Sequence, residues 1–232
     1  GQPASRCPYC SLAQANFFGH IPLKPGKLKC RRHIGSGSYG DVYEGTYFGA
    51  PVAIKCLNRS AVRSEPWNMG TASGAVEEEI DNMEHEARVL RSLRHPNVLY
   101  FYAFTYDPPR IITEYCPAGS LYNSLHGRNP LKDWRKKLGI VKGIAAGMRY
   151  LHERPVPIVH CDLKSLNILM GCCGQPIIAD VGLAKIVRVE NQLAGHDKTP
   201  GDLNFLYHPP EVILSKDGSA FSEKSDVYST AI

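Results

Sequence analysis

Nothing in the sequence reaches the length of a membrane span: no apolar run approaches the ~20 residues that a helix needs to cross a bilayer. The first residues also lack the basic-then-apolar pattern of a secretory signal. Internal repeats, low-complexity tracts and a dense basic stripe are missing as well. Without such a stripe, a formal net charge of +5 over 232 residues argues only weakly for nucleic acid. Its sign would suit a phosphorylated ligand. The eight cysteines (7, 10, 30, 56, 116, 161, 172 and 173) do not follow a disulfide framework, and several fall inside apolar segments. That pattern favours reduced thiols in a cytoplasmic protein. Cys7-Pro8-Tyr9-Cys10 is half of a zinc pattern, with His20 and Cys30 as conceivable further ligands. A structural zinc site normally needs two well-spaced pairs, so ordinary thiols on a leader are the better reading. Methionine is absent from the first position, which fits a piece of a longer polypeptide. Gly1-Gln2-Pro3-Ala4-Ser5 also satisfies a loose acylation pattern, and an internal boundary explains Gly1 equally well.

What is present is ordinary globular composition, 43% hydrophobic and 21% charged, enough for one domain or two closely joined lobes. Residues 1–27 read as a leader segment that is expected to be flexible. Short β-branched and aromatic runs follow at Lys29–Ile34, Val42–Tyr47 and Val52–Leu57, punctuated by glycine, and predict three antiparallel strands. Asn58–Ala75 looks like an inserted loop. Glu77–Leu93 carries Ile80, Met83, Ala87 and Leu90 at helical spacing and predicts an amphipathic helix. Val98–Phe104 and Arg110–Tyr115 predict two more strands. Helices are expected at Ser120–His126 and Trp134–His152, the second with Leu138, Val141, Ala145, Met148 and Leu151 on one face. Short strands follow at Ile168–Met170 and Pro176–Ala179. Strands first and helices after them indicate an α+β chain of two lobes.

Four motifs carry chemistry. Ile34-Gly35-Ser36-Gly37-Ser38-Tyr39-Gly40-Asp41-Val42 is rich in glycine, which lets backbone N–H groups approach phosphate oxygens. A G-x-G-x-x-G is weak alone, but a strand pattern rather than a helix follows it here, against a dinucleotide fold. Val52-Ala53-Ile54-Lys55 ends an apolar strand in a cation that needs partners, such as phosphates and a helix carboxylate. A snorkelling edge lysine is the bland alternative. His160-Cys161-Asp162-Leu163-Lys164-Ser165-Leu166-Asn167 and Ala179-Asp180-Val181-Gly182 complete the set. Phosphoryl transfer needs a carboxylate to orient the attacking hydroxyl and oxygen ligands for Mg²⁺. Asp162 suits the first task, Asn167 and Asp180 the second, and Lys164 could steady the γ-phosphate. Any one acid could be a turn residue; four elements in this order are much harder to assign to chance.

From about Leu28 to Ile232 the chain resembles the protein-kinase superfamily. The resemblance implies a bilobal fold: a small antiparallel β lobe with one helix (28–116, including the hinge) and a larger, mainly helical lobe (117–232). It implies ATP and Mg²⁺ bound between the lobes, the glycine-rich residues with Val42 and Ala53 covering the nucleotide and Lys55 on its phosphates. Glu86 matches the helix glutamate that pairs with Lys55. Thr113 resembles the gatekeeper and Glu114-Tyr115-Cys116 the hinge that binds adenine through its backbone. Asp162 resembles the catalytic base, Asn167 and Asp180 the metal ligands, and Pro209-Pro210-Glu211 the end of the activation segment. Ser225-Asp226-Val227-Tyr228-Ser229 resembles the start of a central helix that continues in the family, so the larger lobe is expected to be incomplete. Leu93-Arg94-His95-Pro96-Asn97, Thr113-Glu114-Tyr115 and the Ser225–Ser229 motif look like the tyrosine-kinase-like group. Lys164 points to protein serine/threonine substrates. Five positions depart from the pattern: Cys161 in place of Arg, Val181 in place of Phe, Asn204 in place of Thr, and Thr230-Ala231 in place of Phe-Gly. The alternative is a pseudokinase or truncated scaffold that docks partners without catalysis.

Overall fold

The computed structural model describes residues 26–37, 40–57, 74–106, 108–181, 185–186, 206–215 and 220–232. The leader, most of the Asn58–Ala75 insert, Asn204 and most of the segment from Val181 to Tyr207 lie outside the described residues. The chain divides into two compact units: residues up to Arg94 with Leu99–Pro117, and His95–Val98 with Ala118–Ile232.

The first unit is a five-stranded antiparallel sheet ordered β1-β2-β3-β5-β4, with one long helix. Its strands are β1 (Leu28–Gly37), β2 (Gly40–Tyr47), β3 (Ala50–Cys56), β4 (Phe101–Tyr106) and β5 (Pro109–Glu114); the helix is α1 (Gly74–Arg91). Phe48 and Gly49 turn β2 into β3 with φ of 49° and 84°. Two positive φ values across a two-residue loop match the right-handed twist of the strands. Alternation then sorts the side chains. Tyr47, Val52, Ile54, Tyr102, Ala103 and Ile112 cluster on one face. The other face carries Ile111 and receives α1, whose Met83, Ala87 and Leu90 are buried. Each such large apolar side chain contributes about 1.5–3 kcal/mol by leaving water.

The second unit is mainly helical: α2 (Leu121–His126), α3 (Trp134–His152), α4 (Pro210–Leu214) and α5 (Glu223–Ala231). Two small antiparallel pairs join them, β6 (Ile158–Val159) with β9 (Lys185–Ile186) and β7 (Ile168–Met170) with β8 (Pro176–Ile178). Asp133 starts α3 by accepting the Arg135 N–H at 2.9 Å. The segment His95–Val98 is tied to β8: Asn97 donates Nδ2–H to Pro176 O at 2.8 Å, and Asn97 O accepts the Ile178 N–H at 2.9 Å.

The buried stripe of α3 differs from the expected one. Met148 and Leu151 are buried as expected, but Leu138, Val141 and Ala145 are exposed, and Ile140 and Ile144 take their place. The helix has apolar residues on two stripes, and the glycines decide between them. A Cβ added at Gly143 would come within 2.5 Å of Pro176, and one at Gly147 within 2.6 Å of Ile178. The side that lacks these Cβ atoms is the side that can reach β8. Most expected strands and helices are present with ends shifted by a few residues; β6, β9 and α4 were not expected. Among the described residues, no helix is long and apolar enough to cross a membrane.

Candidate active site

In the first unit, strand register gathers the expected nucleotide residues. Val42 pairs with Lys55 across β2 and β3, and Gly35 with Val42 across β1 and β2. Ala53 pairs with Thr113 across β3 and β5. Val42, Ala53, Lys55 and Thr113 therefore share one sheet face, the face that α1 covers. There Lys55 Nζ donates to Glu86 Oε2 at 2.6 Å, with the Lys55 side chain 15% exposed and that of Glu86 5% exposed. Lys55 is thus a paired, nearly buried cation and not a snorkelling edge lysine.

The glycines of the first motif serve different ends. Gly40 has φ of +152°, and a Cβ there would lie 1.9 Å from Cys56 O, so the sheet itself requires glycine. At Gly35 an added Cβ would meet nothing within 4 Å. No packing within the described chain demands that glycine, and the open space beside it suits a close external ligand. Ile34 and Ser36 are exposed. The Ser36 hydroxyl donates to Asp41 Oδ1 at 2.8 Å. Gly37 ends β1, while Ser38 and Tyr39 lie outside the described residues.

In the segment expected to form the hinge, Thr113 and Cys116 are buried, and Glu114 turns its carboxylate back to accept the Tyr100 N–H at 2.7 Å. Burial pushes the Glu114 carboxyl above its usual range, with that hydrogen bond acting in the opposite direction. Burial also raises the Cys116 thiol, with the nearby Glu114 charge adding to the effect.

The second unit assembles the expected acid, amide and lysine. Lys164 Nζ lies 3.1 Å from Asp162 Oδ1 and 2.9 Å from Oδ2. Asn167 Nδ2 donates to Asp162 O at 2.8 Å and to Asp162 Oδ2 at 2.9 Å. That pair of bonds fixes the amide flip and turns Asn167 Oδ1 away from Asp162. The Ala179 N–H donates to Asn167 O at 2.9 Å, which sets Asp180 beside Asn167 in the chain trace. Asp180 has φ of 59°, an uncommon conformation for a residue with a side chain. An amide oxygen and a carboxylate are hard donors of the type that Mg²⁺ prefers, so the residues fit that ion.

An anchor beneath this group was not expected. Asp226, 1% exposed on its side chain, accepts the His160 N–H at 2.8 Å on Oδ2 and the Cys161 N–H at 3.1 Å on Oδ1. His152 Nε2 approaches Oδ2 at 2.9 Å. His160 accepts the Asp162 N–H on Nδ1 at 3.3 Å and meets Ala179 O through Nε2 at 3.0 Å, which places its proton on Nε2. The sequence marked Asp226 only as part of the Ser225–Ser229 motif, in a first turn that also carries Glu223 and Lys224, and nothing local pointed to His160 or Cys161 as its partners. Cys161 and Val181, two of the departures from the family pattern, are both buried.

The two motif sets occupy separate units, each with the residue types and order of a protein kinase. The family model for protein tyrosine and serine/threonine kinases matches residues 28–232, and the chain belongs to that family. Among its relatives, the Raf homolog serine/threonine-protein kinase of Caenorhabditis elegans is 34% identical over 90% of this chain and 24% of its own length. The serine/threonine-protein kinase CTR1 of Arabidopsis thaliana is 32% identical over 88% of this chain and 23% of its own. The human serine/threonine-protein kinase TNNI3K is 31% identical over 95% of this chain and 25% of its own. The chain spans about a quarter of the length of the curated relatives it matches.

Proposed function

We propose that the chain carries the chemistry of a cytoplasmic, tyrosine-kinase-like protein kinase, which transfers the γ-phosphoryl group of ATP to Ser and Thr hydroxyls of protein substrates. The observation that supports this most strongly is the hydrogen-bonded Asp162–Lys164–Asn167 cluster, which follows directly on the His160–Cys161 backbone that Asp226 anchors. In this reading, Asp162 accepts the proton of the attacking hydroxyl and orients it. Lys164 is 15% exposed and already beside that carboxylate, where it can neutralise charge that develops on the transferred group. Asn167 and Asp180 would hold Mg²⁺, which when bound offsets the negative charge of the phosphates. Lys55, kept in place by Glu86, would take the α- and β-phosphates. Ile34, Gly35, Ser36, Gly37, Ser38, Tyr39, Gly40, Val42 and Ala53 would cover the nucleotide. Backbone groups of Glu114 and Cys116, next to Thr113, would bind adenine. The two units correspond in this reading to the two lobes of the family.

The nucleotide part is tested by thermal melting of the full-length protein with and without Mg²⁺-ATP. Binding to the native state alone raises stability by mass action, about 2.7 kcal/mol at a hundredfold excess over Kd. The expected outcome is a clear rise in Tm, most of whose metal-dependent part is lost in Asp180→Ala. An unchanged Tm at millimolar Mg²⁺-ATP would instead favour a scaffold that binds no nucleotide.

A further inference from the structure

The β7–β8 hairpin ends in Gly171-Cys172-Cys173-Gly174-Gln175, to which phosphoryl transfer assigns no role. Its backbone is closely held. The Gly174 N–H donates to Gly171 O at 2.9 Å, the Gly171 N–H to Gln175 O at 2.9 Å, and the Cys173 N–H to Gln175 Oε1 at 3.1 Å. Gly174 has φ of +78°, so the loop is a turn closed by a left-handed glycine. The turn places two cysteines at its centre, Cys173 exposed and Cys172 half-buried, with their Sγ atoms 3.8 Å apart.

Adjacent thiols have two chemical outcomes, and geometry separates them. A relaxed disulfide needs Cα atoms roughly 4.4–6.8 Å apart. Neighbours across a trans peptide are held at about 3.8 Å, so an S–S bond would have to distort the turn. One thiophilic atom shared by both sulfurs asks for much less. Bonds of about 2.3 Å at angles of about 90–110° place the sulfurs roughly 3.3–3.8 Å apart, and the observed 3.8 Å lies at the edge of that window. We propose that Cys172 and Cys173 form a chelating dithiol site for trivalent arsenic compounds, carried at the tip of the hairpin whose base bears Asn167 and Asp180. Both S–H bonds break and two As–S bonds form. The two protons leave with the oxygen of the arsenic oxide as one molecule of water. Arsenic stays trivalent, so no oxidant or reductant takes part. The second bond forms within the turn, where effective concentration is high, and this favours the pair over single thiols. Cys116 and Cys161 are buried and compete poorly.

The test uses the reduced full chain with one equivalent of phenylarsine oxide, read by native mass spectrometry and by iodoacetamide mapping, with circular dichroism as the check on folding. The expected product is one adduct with two As–S bonds, in which Cys172 and Cys173 are protected from alkylation. Ethanedithiol should remove it and excess monothiol should not. It should be lost in Cys172→Ser and in Cys173→Ser, and retained in Cys7→Ser, which removes the other closely spaced pair. Protection of Cys7 and Cys10 in place of Cys172 and Cys173 would overturn the proposal. So would an adduct that survives in a folded Cys172→Ser variant. The mapping of the wild-type chain decides the matter even where a variant fails to fold.

Discussion

The carboxylate of Asp226 takes three donors from two segments of chain while only 1% exposed. One of these bonds holds the backbone of Cys161 at φ of 66°. Such a conformation costs a non-glycine residue about 1–3 kcal/mol, and it persists only where surrounding bonds over-determine it. Asp226→Ala would strand the donors and release the backbone just before Asp162. The expected loss is about 3–5 kcal/mol, read as a lower urea midpoint with an unchanged slope. A midpoint equal to wild type would mean that solvent, and not Asp226, satisfies those groups.

His95 carries a pH dependence. Its ring stacks on Tyr150 at 5.0 Å, and Nδ1 accepts the Asn97 N–H at 3.1 Å, which requires that nitrogen to be unprotonated. Burial lowers its pKa, and the Arg149 charge adds to the shift. A depressed folded-state pKa means that the unfolded chain binds the proton more readily. The contribution of His95 is therefore complete above the ordinary histidine value, near pH 6.5, and is lost as pH falls through the folded-state pKa. Between pH 7 and 5, His95→Phe should show a flatter decline in Tm than wild type. An identical acid limb in both proteins would contradict the assignment.

Among the elements, α3 offers an internal comparison. Gly139 and Gly147 lie in one helix, and Ala exceeds Gly in helix propensity by about 1 kcal/mol. At Gly139 an added Cβ meets nothing within 4 Å; at Gly147 it would stand 2.9 Å from Asn97 O and 2.6 Å from Ile178 Cδ1. Gly139→Ala is expected to stabilise by about 0.5–1 kcal/mol. Gly147→Ala should destabilise by about 1–3 kcal/mol through overpacking. Thermal or urea unfolding reads both, and shifts of the same sign would show that the approach of α3 to β8 does not limit the helix.

The same helix shows what sequence can and cannot convey at this scale. Its ends, Trp134 and His152, follow from the Asp133 cap and the 3.6-residue period. Which of its two apolar stripes is buried does not, because that depends on glycines whose meaning appears only against Pro176 and Ile178. The strands β1, β2 and β3 are legible because alternation and the Phe48-Gly49 turn are local signals. The two-residue strands β6 and β9 exist only by pairing with each other, and no local pattern announces them.

Across the whole molecule, the ordered motifs identified the family, since residue type and spacing carry it. The register that puts Val42, Ala53, Lys55 and Thr113 on one face follows from period-two strands; that Lys55 needs a partner follows from its charge, and that the partner is Glu86 came from the resemblance to the family. The Asp226 anchor was not legible, because it acts on His160, 66 residues away in sequence. The proposed function turns on Asp162 as the residue that does the chemistry, with Lys164, Asn167 and the Asp226 anchor as the groups that hold it. The most direct test is single-turnover transfer of the labelled γ-phosphoryl group of ATP to a generic basic protein substrate. Full-length wild type is compared with Asp162→Asn, a change that keeps the side-chain shape and removes the proton acceptor. The account expects phosphoserine and phosphothreonine as products. It also expects a rate about 10²–10⁴-fold lower in the variant, with the Mg²⁺-ATP rise in Tm preserved, because the lost interaction belongs to the transition state. Wild-type turnover in Asp162→Asn, or no transfer by a wild-type protein that binds Mg²⁺-ATP, would contradict it.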